Sequence, residues 1–319
     1  MTQSNNIILK MVAENKTINE MCSLTGLTRK QVYRRLLMLE NYGYNIKRKY
    51  YYSGDIVYSF NDLKESNNVR IIMPNNQEKF VAIVLSDLHI GSGLESLKAL
   101  DMIYNYCAKE GITIIINSGD FIDGNSKLYR QNKKLYDLQK QIEYALKYHP
   151  FDENILNFVL FANHDIEPLR YEGIDIEKVV TNTRHDIVSL GYRIGKVNIK
   201  NDSITVFHPT PVVNQKSDPL SNGSKIVLYG HTHDLKYTSY PNKVLVISVP
   251  SLSNVHINND VKIPKAIKMT LNFKNEMVTS AIFEDLLVHD KIYKIGEHVT
   301  YFNNNESMKL KPKKRRRKK

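Results

Sequence analysis

FVAIVLSDLH, residues 80–89, sets the terms on which the rest of the chain is read. Six apolar residues in a row, rich in β-branched side chains, have the length of a strand buried on both faces. The run ends in Asp87-Leu88-His89. The same plan returns in ITIIINSGD (112–120), ILNFVLFANHD (155–165), SITVFHP (203–209) and KIVLYGHTH (225–233). Each is a short buried-type strand that ends in Asp, Asn or His. Helical stretches alternate with them, which predicts an α/β fold. In such folds sites form where strand ends and loops converge. One polar residue at a strand end is ordinarily a turn or a helix cap. Five strands ending in carboxylate, amide or imidazole point instead to a metal centre. The set contains no sulfur, which suits Mn, Fe, Zn or Ni rather than a structural zinc knot.

Taken together, Asp87-Leu88-His89, Gly119-Asp120, Asn163-His164-Asp165, His208 and Gly230-His231-Thr232-His233 resemble the calcineurin-like metallophosphoesterases. All five motifs occur in order, across about residues 79–280. The resemblance implies a metallophosphoesterase β-sandwich flanked by helices. It implies two divalent ions, manganese first, with Fe, Zn and Ni as the other candidates. Asp87, His89 and His233 would hold one ion, and Asn163, His208 and His231 the other. Asp120 would bridge the two. A bridging hydroxide would attack the phosphorus, and His164 would give a proton to the leaving oxygen. Asp123, in GDFID, is placed by the same resemblance to orient His164. Asp165 is read as a cap with no catalytic role. The chain departs from the family pattern in three places. Ala162 stands where glycine is usual, so the turn there should avoid positive φ. GDFIDGN lacks the arginine of the protein Ser/Thr phosphatases, which disfavours that branch. His208 is followed by proline rather than glycine.

Upstream, residues 5–14 read as a first helix. A second opens with a capping box, Thr17 with Glu20, and a third is capped by Thr28. Val32, Leu36 and Leu39 fall on one face of the third, and Gly43 marks its end. Residues 45–60 read as a hairpin turning at Ser53-Gly54-Asp55. Three helices and a hairpin resemble a winged helix-turn-helix. That resemblance implies that Arg29, Lys30, Gln31, Tyr33 and Arg34 read bases in a major groove, and Lys47, Arg48 and Lys49 meet phosphates. The other reading of this unit is a helical domain for dimerisation or docking. The expected division is 1–62 winged helix-turn-helix, 63–78 linker around a short strand, 79–285 phosphoesterase, and 286–319 extension with a basic tail. A helix is expected over 126–148, with Lys127, Arg130, Lys133, Lys134 and Tyr136 off its apolar face.

The chain carries 45 basic and 33 acidic residues, a net charge of +12. Residues 1–70 contribute +5, residues 71–308 contribute −2, and KLKPKKRRRKK (309–319) contributes +9. A near-neutral body with basic ends suggests a polyanionic partner. DNA is the expected partner, with RNA second and a homodimer as the candidate assembly; PKKRRRKK can also be read as a nuclear-localisation sequence. No apolar run is long enough to span a bilayer and no signal peptide is read, so a cytoplasmic protein is expected. The Asn, Lys, Ile and Tyr content hints at a low-GC bacterium or its phage. The function expected is a metal-dependent DNA nuclease. DLHIG, GDFID and NHD resemble the exonuclease subunit of double-strand-break repair complexes. The alternatives are a phosphomonoesterase or cyclic-nucleotide phosphodiesterase, and a DNA-binding regulator with a vestigial phosphoesterase domain.

Overall fold

A computed structural model describes residues 3–41, 46–60, 68–124, 137–172, 174–209, 220, 223–241, 243–254, 256–257, 260–261 and 263–302. The chain opens with α1 (Gln3–Ala13), α2 (Ile18–Thr25) and α3 (Arg29–Asn41), then strands β1 (Ile46–Tyr51), β2 (Ile56–Phe60) and β3 (Asn68–Ile72). The body begins with β4 (Lys79–Leu85), α4 (Leu97–Glu110), β5 (Ile114–Asn117), α5 (Leu138–Tyr148), β6 (Leu156–Phe161), α6 (Asn163–Glu172) and α7 (Ile176–Thr183). Strands β7 (Ile187–Tyr192), β8 (Ile194–Ile199), β9 (Asp202–Phe207), β10 (Ile226–Tyr229), β11 (Lys236–Ser239) and β12 (Leu245–Ser248) follow. Two short strands, β13 (His256–Ile257) and β14 (Asp260–Val261), precede the long β15 (Lys265–Lys274), β16 (Met277–Val288) and β17 (Ile292–Tyr301).

Two large sheets form. One has seven strands in the order β17-β16-β15-β4-β5-β6-β7, the other eight in the order β11-β12-β10-β9-β8-β3-β1-β2. Strands β4, β5 and β6 run parallel to one another, as do β9, β10 and β12. One apolar cluster joins the inner faces of the two sheets, through Val84, Ile116, Phe158, Val197, Val206 and Leu228. A second lies between the seven-stranded sheet and its helices, through Leu100, Ile103, Ile142, Val159 and Val180. Strand β6 is therefore buried along its whole length, which explains why all its residues but Asn157 are apolar. Among the described residues no helix is long and apolar enough to cross a membrane.

The expected α/β sandwich with flanking helices is present. The N-terminal elements form where the local signals place them. Thr17 and Glu20 make the reciprocal capping box, and Gly26 closes α2 in the left-handed region at φ 68°. Val32, Leu36 and Leu39 are buried.

Their surroundings differ from a free-standing reader. Strand β1 pairs with β3, and β3 pairs with β8, so the hairpin extends the eight-stranded sheet of the body. Residues Ile8, Met21, Leu36 and Tyr58 share one apolar cluster with Phe158 and Val206. Strand β3, expected as the short strand of the linker, joins the hairpin to the sheet of the body. At the other end, β17 is hydrogen-bonded along β16, so residues 286–301 belong to the body rather than to an extension. Gly43, residues 125–136 with Lys127, Arg130, Lys133, Lys134 and Tyr136, and the basic tail lie outside the described residues.

Candidate metal centre

The ends of β4, β5 and β6 in one sheet and of β9 and β10 in the other converge on one edge of the sandwich. Parallel pairing is the reason: it brings the carboxyl ends of adjacent strands to one side. Asp87, His89, Asp120, Asn163, His208, His231 and His233 all leave strands at that edge.

Five of these residues, Asp87, His89, Asp120, His231 and His233, have positive φ between 45° and 79°. Each such non-glycine residue costs about 1–2 kcal/mol. Strain of this kind persists where surrounding structure enforces it, and it gathers at functional sites. Backbone bonds enforce it here. Asp87 N–H donates to the Gly119 carbonyl at 2.9 Å and His89 N–H to that of Asp120 at 3.1 Å. His231 N–H donates to the Asp87 carboxylate at 3.1 Å.

Side chains then meet as three groups whose ligand atoms lie within 4.8 Å of one another: Asp87, His89 and His233; Asp120, His208 and His231; and His89, Asp123 and His164. His233 Nε2 lies 3.2 Å from Asp87 Oδ1. His89 Nε2 faces His233 Nε2 at 3.4 Å. His208 Nε2 lies 3.2 Å from Asp120 Oδ2, outside hydrogen-bond alignment. Its Nδ1 is bound to the Ser118 carbonyl at 2.8 Å, so Nδ1 carries a proton and Nε2 is the nitrogen turned to the centre.

Two glycines make room for that ring. A Cβ at Gly119 would sit 2.3 Å from His208 Nδ1, and one at Gly230 would sit 2.7 Å from it. The glycine preceding each ligand, in Gly119-Asp120 and Gly230-His231, is thus a steric requirement. Those glycines were legible in the sequence as motif positions; the ring they accommodate was not.

These residues fit a cation. Asp87 and Asp120 are buried, and among the described residues their charged-pair partners are all histidines. Buried carboxylates ordinarily pair with cations or coordinate metals. Asn163 Oδ1 is buried without a hydrogen-bond partner, and an amide oxygen left that way suits coordination. Donors of one kind facing each other, as the two Nε2 atoms do, suit a shared ion.

The electrostatics agree. Burial works against ionised Asp120, yet His208, His164 and His89 outweigh it and hold its carboxyl well below the usual range. Asp87 is also lowered, against its burial, by His233 and His208. Burial and His164 push His89 down to about 3. Burial and His208 lower His231 as well. Burial would lower His208, but Asp120 and Asp87 carry it up to about 9.

His164 begins on α6 beside Asn163. Its N–H donates to Asp120 Oδ1 at 3.1 Å, and its Nδ1 meets the Asp123 backbone carbonyl at 2.6 Å. The Asp123 carboxylate is farther, 3.9 Å from Nδ1. Asp123, expected to orient His164, contacts it through its main-chain carbonyl. His164 Nε2 lies 3.9 Å from Asp120 Oδ2. Burial lowers the His164 pKa, but Asp120 and the Asp123 carbonyl outweigh it, and the ring stays protonated above its usual range. Asp165 accepts the backbone N–H groups of Phe121, Ile122 and Ala162 at 2.8–3.1 Å. It ties the loop after β5 to the start of α6, a wider role than a local cap. Ala162 is absent from the positive-φ residues.

The candidate nucleic-acid residues divide. Arg29 donates to the Glu153 carbonyl and lies 3.9 Å from Asp55. Tyr33 is buried and stacks on His185 with ring centroids 3.8 Å apart. Gln31 Oε1 accepts the Thr28 N–H at 2.9 Å, so that side chain caps its own helix. Arg48 pairs with Glu40 at 3.0 Å. The leading face of α3 is thus packed on the body, and Arg29 and Tyr33 cannot enter a groove as they stand. Lys30, Arg34, Lys47 and Lys49 are exposed.

Residues 80–244 match the profile of the family described as Calcineurin-like phosphoesterase. No curated protein sequence matches the chain. Among solved structures, an archaeal phosphodiesterase is similar at 16% identity and a TM-score of 0.40, over 65% of this chain and 99% of its own. A phosphoesterase of E. coli, YfcE, is similar at 16% identity and a TM-score of 0.38, over 68% and 98%. Vps29 of Entamoeba histolytica, solved with zinc, is similar at 13% identity and a TM-score of 0.38, over 70% and 99%.

Proposed function

Since this chain belongs to the calcineurin-like phosphoesterase family, and so is a hydrolase of phosphoric esters, we propose that it cleaves the phosphodiester bonds of DNA. The action is that of a two-metal nuclease of exonuclease type, with a place in DNA repair and RNA as the second substrate. The observation that carries the reading is the convergence of His89 and His233 on buried Asp87, and of His208 and His231 on buried Asp120. Asp87, His89 and His233 would hold one ion and Asn163, His208 and His231 the other, with Asp120 shared by both. Manganese is the first candidate. When bound, such ions neutralise the phosphate and lower the pKa of attacking water.

The protein's own part is proton delivery and positioning. With Nδ1–H held by the Asp123 carbonyl, Nε2 is the atom of His164 that titrates. Asp120 favours its protonated form. Nε2 gives its proton to the leaving alkoxide and the ring remains neutral with Nδ1–H in place, so no rearrangement of the loop is needed. The basic loading of residues 1–70 supports a polyanionic substrate.

The test is end-labelled single- and double-stranded DNA incubated with the protein and Mn²⁺, beside EDTA and His231→Ala controls. Cleavage abolished in both controls is expected, and the product ladder separates exo from endo action. Intact DNA alongside hydrolysis of a small phosphomonoester or cyclic nucleotide would overturn the DNA reading.

A further inference from the structure

With Arg29 and Tyr33 packed on the body, α3 does not present its whole leading face to nucleic acid. We infer that the outer face of β1, β3 and β8 is a track for the DNA phosphate backbone. The inference rests on the DNA reading above and adds where the strand lies.

Register fixes the face. Tyr50 pairs with Ile71, and Asn68 and Arg70 pair with Lys196 and Asn198. Ile46, Ile71, Val197 and Ile199 are buried in the core. Side chains alternate across a strand, so Lys47, Lys49, Arg70 and Lys196 all point to the opposite, outer face. Lys47, Lys49 and Arg70 are exposed and Lys196 half-buried.

The strands that carry them supply no countercharge of their own. IKRKYY, NVRII and IGKVNI contain no carboxylate. Among the described residues Lys47, Lys49 and Arg70 make no ion pair, and Arg70 donates to the Lys200 carbonyl at 3.1 Å. Asn68 and Asn198 stand between the cations and add neutral donors.

Spacing suits a backbone. Strands lie about 4.8 Å apart and alternate residues about 6.7 Å, so the four cations cover about 10 by 7 Å. Lys196 pairs with Thr205, three residues before His208. At about 3.3 Å per residue the patch ends about 10 Å from the centre. A flat array of lysine, arginine and asparagine meets phosphates without reading bases. That fits a nuclease that must act along a strand.

The experiment compares the full chain with a variant carrying Lys47→Gln, Lys49→Gln and Arg70→Gln. Binding of a fluorescent DNA duplex and of its single strand is titrated without metal, from low to moderate salt. Each cation withdrawn from a phosphate should lower the salt slope by about 0.7–0.9, so the slope of the variant should fall by about 2–3 for one or both probes. Thermal unfolding confirms that it is folded, and single substitutions replace it if it is not. A second variant, Lys30→Gln with Arg34→Gln, should change the slope by less than about 1. Unchanged binding in the sheet variant, or weakening confined to the α3 variant, overturns the track and leaves the DNA reading standing. No DNA binding by the natural chain overturns both.

Discussion

Gly119→Ala is the sharpest structural test of the metal centre. The added Cβ would lie 2.3 Å from His208 Nδ1 and 2.7 Å from the Ala162 Cβ, at a backbone φ of 120°. His208 cannot step aside, because it is buried and bonded through Nδ1 to the Ser118 carbonyl at 2.8 Å. Overpacking costs about 1–3 kcal/mol. A side chain at strongly positive φ adds about 1–2 kcal/mol, so a destabilisation of about 2–5 kcal/mol is expected. Gly111→Ala is the control. It also has positive φ, 68°, but its Cβ would have nothing within 4 Å. It should cost only the backbone part, about 1–2 kcal/mol. Urea unfolding gives both values. Metal analysis after dialysis against Mn²⁺ should show the second ion weakened or absent in Gly119→Ala and retained in Gly111→Ala. If the two variants match in stability and both keep their full metal content, the glycine does not make room for a ligand and the reasoning fails.

Three further outcomes follow from the same geometry. His164→Ala should abolish cleavage with metal content intact. Asp123→Asn should keep most activity, because it meets His164 through a backbone carbonyl, while moving the alkaline limb of the kcat profile to lower pH; equal defects in the two variants would contradict this. Tyr33→Ala should destabilise the fold by about 3 kcal/mol, since it empties a buried aromatic position stacked on His185; a change below about 1 kcal/mol in urea unfolding would mean that α3 is not clamped to the body. Burial and Arg184 lower the His149 pKa from 6.5 to about 3. The unfolded chain therefore takes up this proton first, and the contribution is complete above pH 6.5 and lost as pH falls toward 3. Between about pH 6.5 and 5 the natural chain should lose about 2 kcal/mol more than His149→Gln, measured by urea unfolding at each pH; parallel curves would place His149 in water.

Much of this site could be read from residue order alone, because strand-end ligands are local signals. An apolar run that stops on Asp, Asn or His shows itself without knowledge of its neighbours. The capping box at Thr17 and the buried stripe Val32, Leu36 and Leu39 were legible for the same reason. What could not be read is what depends on distant partners. The hairpin signal predicted β1 and β2, but the parallel pairing of β1 with β3 and of β3 with β8 joins segments far apart in the chain, and neither strand announces it. Basic loading at the start of α3 resembled a recognition helix, while Arg29 and Tyr33 are spent on Glu153 and His185. Their residue types suit a groove and a domain interface equally well. For Asp123 the sequence suggested a residue that orients His164, and the atom that does so, its main-chain carbonyl, depends on the folded loop.

The account stands on one centre built from Asp87, His89, Asp120, Asn163, His208, His231 and His233. Its most direct test is hydrolysis of a chromogenic phosphodiester by EDTA-stripped protein titrated with Mn²⁺, beside His231→Ala. The account predicts no turnover in the stripped protein, recovery that saturates at about two ions per chain, and little recovery in the variant. Turnover without metal, or full recovery in His231→Ala, would contradict it.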